Sequence, residues 1–155
     1  KDGKLTTTMP AFDSYATFLG LTNSDPLIGL EFSGVPRGAA GLLEVTPNAH
    51  LKVKATVWNP SPQKLAPGTV KLFTATGWFS NEIEQKIGAI EPYSSQEISF
   101  EIVSPAICSK RNLHPIVLKY ESEKTTSTPA TELVWWTNPT APSSGKIVAN
   151  RTKHP

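Results

Sequence analysis

Cys108 and His114 stand six residues apart, with Ser109-Lys110-Arg111 and Asn112-Leu113 between them. A thiol and an imidazole are the pair from which proteins build a thiolate nucleophile. The pair works only if a third group orients the base, and no orienting group is evident in the neighbouring sequence. Glu82 and Glu84 are two residues apart and would share one face of a strand. Two carboxylates serve a glycosidase only when a cleft sets them about 5–10 Å apart around a sugar, and a solvated strand face is the simpler reading. His50, His114 and His154 are the only histidines, and none has a spacing that makes a ready metal site. His50 and His114 read as residues at strand mouths. Ten Glu and three Asp are scattered without the close Asp/Asn spacing of a calcium loop. No Gly-x-Ser-x-Gly elbow and no phosphate-cradling Gly-rich loop is present. These residues predict no enzyme, no cofactor and no metal.

The remaining chemistry is aromatic. Trp135 and Trp136 are adjacent, so a strand sends them to opposite faces, and only one can enter the core. Trp58 falls on the polar side of its own strand. If the two strands are neighbours, Trp58 and the outer member of the pair could stack. A cover formed by the N-terminal residues is the plainer expectation for this face. In Gly77-Trp78-Phe79, glycine permits a bend, Trp78 is expected to plug the sandwich, and Phe79 points the other way. Tyr93 follows Pro92 at a turn and is expected to project to solvent. The candidate contact residues are Phe79, Tyr93, Trp58, Trp135 and Trp136. Phe79 and Tyr93 are expected to share one end of the domain.

The elements that must position them are strands. The chain has 155 residues, 14 of them Pro, with 18% charged residues and 38% apolar residues. That composition suits an all-β domain with long loops rather than a helical bundle. A net charge of +2 excludes an electrostatic footprint for nucleic acid or acidic lipid. Ser109-Lys110-Arg111, the densest basic cluster, reads as a solvated loop. The single cysteine excludes an internal disulfide framework. No apolar run reaches the ~20 residues that span a bilayer. Lys1-Asp2-Gly3-Lys4 leads into Thr and does not read as a signal peptide.

Leu51, Val53, Ala55 and Val57 alternate with Lys52, Lys54, Thr56 and Trp58, the clearest strand in the chain. Asn59-Pro60-Ser61-Pro62 ends it. Ile98, Phe100 and Ile102 alternate with Glu97, Ser99 and Glu101. Ile116, Leu118 and Tyr120 alternate with Val117, Lys119 and Glu121. Further strands are expected at 14–21, 27–32, 42–45, 69–75, 83–90 and 131–137. Leu51, Val53, Val57, Ile98, Phe100, Ile102 and Leu118 are expected to share one core. Strands at this spacing, with no helical periodicity between them, predict an antiparallel sandwich or barrel of about seven to nine strands. Residues 1–137 read as one domain, with an N-terminal extension and first strands in 1–50. Residues 138–155 read as a flexible tail or linker.

Residues 51–120 resemble the immunoglobulin-like NEW3 modules of carbohydrate-active enzymes and the related CARDB-type adhesion modules. The resemblance is carried by the strand Lys52–Asn59 with its Asn turn, Gly77-Trp78, Ile90-Glu91-Pro92-Tyr93, Ile98–Pro105 and Ile116–Tyr120. Two departures stand out. Tyr93 occupies the place of a turn glycine, and about fifty residues precede Leu51. The resemblance implies an all-β, immunoglobulin-like antiparallel β-sandwich with a non-catalytic accessory or adhesive role. It transfers no ligand-binding residue. The expected function is that of an interaction module within a larger exported protein, outside the cell or at its surface. Its partner would be another protein or another domain of the same polypeptide. A carbohydrate-binding module with coplanar exposed aromatics is one alternative. A cytoplasmic adaptor docking peptides in a groove lined by Lys52, Lys54 and Lys71 is the other. Neither nucleic-acid binding nor membrane insertion is expected.

Overall fold

The computed structural model describes residues 25–108 and 112–138. The expected strand at 14–21, the Ser109-Lys110-Arg111 cluster and the tail beyond Asn138 lie outside the described residues.

Nine strands are present: β1 (Leu27–Ser33), β2 (Leu43–Val45), β3 (His50–Trp58), β4 (Gly68–Thr74), β5 (Phe79–Ser80), β6 (Glu84–Ile87), β7 (Ser95–Val103), β8 (Leu113–Glu121) and β9 (Ala130–Trp136). They form two sheets, the first in the order β1-β3-β7-β5 and the second in the order β2-β9-β8-β4-β6. Neighbours run antiparallel except β2, which lies parallel to β9. The chain therefore enters through the first sheet as β1 and crosses to the edge of the second as β2.

The two-residue alternation of β3, β7 and β8 arises because each has one dry and one wet face. Val53, Ala55 and Val57 of β3 meet Phe100 and Ile102 of β7 on the inside of the first sheet. Val70, Leu72, Ile116, Leu118, Tyr120, Val134 and Trp136 close over them from the second. Full burial of side chains this large contributes about 1.5–3 kcal/mol each. Leu51 and Ile98 point inward and pack on this core, but only half-buried. The expected strand at 83–90 is shorter than its apolar content suggested. β6 stops at Ile87, and Ile90 instead forms an isolated bridge to Leu65.

Each end of the sandwich is tied by buried polar groups. At one end Asn59 is almost fully enclosed. Its Nδ2 donates to the carbonyls of Gln63 (2.8 Å), Ile90 (3.1 Å) and Glu91 (3.1 Å), and its Oδ1 accepts the Ser61 N–H (3.1 Å). At the other end Ser104 accepts the Ala49 N–H on Oγ and donates to the Thr46 carbonyl at 2.6 Å.

Candidate functional site

The Ser104 end gathers most of the chemistry that the sequence singles out. Gly77 has φ 94°, a left-handed value that glycine adopts without penalty. The bend turns Trp78 inward, where it packs half-buried against the core. Its indole Nε1–H donates to His114 Nδ1 at 2.7 Å, the rings meeting edge to face at 6.0 Å. His114 is buried, and its Nε2 lies 3.2 Å from Cys108 Sγ. The sequence thus brings a thiol, an imidazole and an orienting group together after all, and the orienting group is Trp78.

The polarity of that relay decides what it can do. An indole only donates, so Nδ1 must present its lone pair and the proton of the neutral ring sits on Nε2. Nε2–H then points at the sulfur. A nucleophilic pair needs the opposite arrangement, with Nδ1–H donating to an acceptor and Nε2 free to take the thiol proton. With the Trp78 indole donating to Nδ1, the neutral ring has no lone pair on Nε2 with which to take the thiol proton. Trp136 behaves likewise: it is buried, and its Nε1–H donates to the Pro105 carbonyl at 2.9 Å.

Trp135 faces out from the second sheet. Cross-strand register sets it beside Leu113, sets Leu133 beside Pro115, and sets Val117 beside Phe73. An antiparallel sheet with one wet face normally carries polar residues there. Here Trp135 (39% exposed), Leu133 (40%), Leu113 (38%) and Phe73 (49%) form an apolar band instead. Trp135 also walls a cavity of about 450 Å³ with Cys108, Asn112, Trp136 and the well-exposed Ile107. The far end of the same face is ionic. Glu121 bridges Lys71 (2.7 Å) and Lys119 (3.1 Å), and the Lys71 hydrogen bond, with that of Lys119, holds its carboxyl below the usual range. The outer face of the first sheet is polar. Lys54 sits between Glu31 (2.9 Å) and Glu97 (3.4 Å), and these contacts raise its pKa, the Glu31 hydrogen bond most.

The expected contact residues do not form one site. Phe79 pairs with Val103 at the end of β7, while Tyr93 lies two residues before Ser95 at its start. Nine residues of strand, about 27 Å, separate them, so the end patch expected from the sequence does not exist. Trp58 belongs to the Tyr93 end, since it pairs with Ser95 and Leu27. Trp58 and Trp135 stand on different sheets and cannot stack. Trp136 is the buried member of its pair and Trp135 the outer one. Lys52 and Lys54 project from the first sheet and Lys71 from the second, so they line no common groove. Glu82 precedes β6 and Glu84 begins it, so they are not two members of one strand face. Tyr93 is half-exposed with φ 56°, the left-handed conformation that suits the glycine whose place it takes. Leu113, Leu133 and Phe73 are surface residues beyond the expected contact set. Outward parity beside the buried His114, Val134 and Leu72 was the signal that could have found them.

Among the described residues no group of three potential metal ligands occurs, and no helix is long and apolar enough to cross a membrane.

This is an immunoglobulin-like β-sandwich, all-β and with its sheets closed over a single core. No protein-family model matches the chain, and no curated protein does. Among solved structures, the chain is similar to the FixG-related protein of Vibrio parahaemolyticus at 10% identity and a TM-score of 0.46, over 73% of this chain and 97% of that one. It is similar to a CARDB domain from Pyrococcus furiosus at 12% identity and a TM-score of 0.44, over 73% and 96%. A β-glucosidase from Listeria innocua aligns at 16% identity and a TM-score of 0.46, over 72% of this chain but only 16% of the enzyme.

Proposed function

We propose that this domain is a non-catalytic interaction module, and that it docks another protein, or another domain of its own polypeptide, through the outer face of β8 and β9. The observation that carries this reading is the apolar band of Trp135, Leu113, Leu133, Pro115 and Phe73 on a face that should be wet. Leaving large apolar side chains on a sheet surface forgoes solubility, and contiguous patches of this kind mark protein contacts. Trp and Phe at such a surface supply much contact area for little lost rotamer freedom. The reversed polarity of the Trp78–His114–Cys108 relay supports the non-catalytic half of the reading. A sugar platform has less support, because no two exposed aromatics among the described residues are set side by side on one face. Phe73 and Trp135 share a face, but two strands and four residues of register part them, roughly 16 Å.

The test is an NMR titration of the domain with the regions encoded beside it in its gene, and in parallel a glycan array. Shifts centred on Leu113, Leu133 and the Trp135 indole, abolished by Leu133→Lys in a folded variant, are expected. Shifts confined to other surfaces, or binding of a glycan that Leu133→Lys does not disturb, would overturn the reading.

A further inference from the structure

Among the described residues, the first sheet is left with one edge largely uncovered. β7 pairs with β3 along all nine of its residues, but on its other side β5 covers only Ile102 and Val103. The Ser99 carbonyl accepts Gln85 Nε2 from β6 at 2.7 Å, and the Glu101 carbonyl accepts Ser80 Oγ at 2.9 Å. Both donors lie on the uncovered side. By the alternation of an antiparallel strand, the peptide groups of Glu97, Ser99 and Glu101 therefore point there. Among the described residues only these two side chains meet that edge, and neither satisfies an N–H. Ile98, which points inward, is half-buried, and no strand among the described residues extends the sheet beyond it. A groove of about 330 Å³ lined by Lys52, Asn81, Glu82, Gln85, Ser99 and Glu101 runs along the gap.

We infer that this edge accepts an added β-strand, supplied by an extended, basic segment of a partner. Strand addition takes its affinity from the main chain and its specificity from alternate side chains. Two outward carboxylates, Glu97 and Glu101, stand four residues apart on β7, and Glu82 rims the same groove. With Glu31 they are four acids against the two cations Lys52 and Lys54 of β3, of which Lys54 is shared between Glu31 and Glu97, so the border keeps a net negative charge. An incoming strand matches them with Lys or Arg at positions four apart. Apolar residues at the two positions between, facing inward, would extend the core past half-buried Ile98. A second copy of this chain is the wrong occupant. Two-fold pairing about Ser99 would set each Glu97 against a Glu101 of the copy, and like charges directly opposite are destabilising. Gln85 and Ser80 act as provisional caps that the new strand displaces.

The probe is a capped, fluorescein-labelled peptide TKVTVKT, titrated by anisotropy at low salt, with TEVTVET as its control. Saturable binding of the basic peptide is expected, weakening as salt rises. Ser99→Pro removes the N–H on the open side and leaves β3 pairing untouched, as edge prolines do, and should weaken binding by about tenfold or more. The double variant Glu97→Lys with Glu101→Lys should reverse the preference between the peptides, and it decides the matter should Ser99→Pro fail to fold. No binding of TKVTVKT at millimolar peptide, equal binding of both peptides, or self-association through β7 in sedimentation would overturn the proposal. So would amide protection that appears on the β8–β9 face rather than at Glu97, Ser99 and Glu101.

Discussion

Asn59 is the side chain on which one end of the sandwich depends most, and its removal should be measurable in isolation. Its amide donates toward three carbonyls, and its carbonyl accepts one N–H. Two protons serve three acceptors, so one bond is shared. With a net value of about 1 kcal/mol per hydrogen bond, Asn59→Ala forfeits roughly 3–4 kcal/mol. The loss is tempered because the Ile90 carbonyl still receives the Leu65 N–H (2.8 Å) and the Glu91 carbonyl the Ser94 N–H (3.2 Å). An expected cost of about 2–4 kcal/mol follows, a large share of the 5–15 kcal/mol of an ordinary domain. Asn59→Asp keeps the shape and replaces the donor by an anion facing carbonyl oxygens. At neutral pH it should be less stable than Asn59→Ala. The new carboxyl would have its folded pKa raised above its unfolded value, so the deficit should shrink as pH falls toward about 4. Urea denaturation followed by tryptophan fluorescence at both pH values gives the answer, provided the m-value is unchanged. An Asn59→Ala variant within about 0.5 kcal/mol of wild type would refute the account. So would Asn59→Asp exceeding Asn59→Ala at neutral pH.

Four further outcomes are expected. NMR of the His114 ring should show the proton on Nε2, and Trp78→Phe should cost about 1–3 kcal/mol by leaving buried Nδ1 without its donor. Gly68→Ala should destabilise by about 1–3 kcal/mol or more, because a Cβ there meets the Tyr120 ring and the Glu121 carbonyl, neither free to move. Burial raises the pKa of Tyr120, whose hydroxyl donates to the Ala66 carbonyl at 2.8 Å. Its contribution is therefore fully present below the unfolded value of about 10 and is lost as pH rises through the folded one, so phenolate absorbance should show a late ionisation that Tyr120→Phe removes, together with unfolding. Tyr93→Gly should be at least as stable as wild type, whereas Tyr93→Val should lose about 1–2 kcal/mol at φ 56°.

Strands with one wet face were legible in the sequence, since β3, β7 and β8 announce their parity residue by residue. β5 was not, because two residues carry no period, and β6 was over-read because Ile90 serves a bridge to Leu65 rather than the same strand. The division of Trp135 and Trp136 between faces followed from parity alone. Which of them was buried did not, since that depends on His114 and Val134 sharing the inward row. The grouping of site residues failed for a topological reason. Gly77-Trp78-Phe79 and Pro92-Tyr93 are fifteen residues apart in sequence, yet they join opposite ends of β7. The donor role of Trp78 toward His114 had no local signal, because the two rings are 36 residues apart.

The distribution of charge bears on the two contacts proposed for this domain. On the first sheet, Glu31, Lys54 and Glu97 form a chain of ion pairs across three strands. Such pairs add little stability when exposed, and they are screened by salt. Their effect is to keep that face wet, and because Lys54 is shared between Glu31 and Glu97, the β7 border keeps a net negative charge. On the second sheet the ionic cluster of Lys71, Lys119 and Glu121 is confined to the end remote from Trp135. The apolar band therefore begins where the ion pairs stop and runs to the end that holds the Cys108 cavity. Charge bounds the band at the β2 edge as well, where exposed Glu44 stands in register with Trp135, and a partner docked as proposed would strip water from Lys71 and Glu121 if it slid toward them. Shape supplies the contact area, and the neighbouring charges supply its direction.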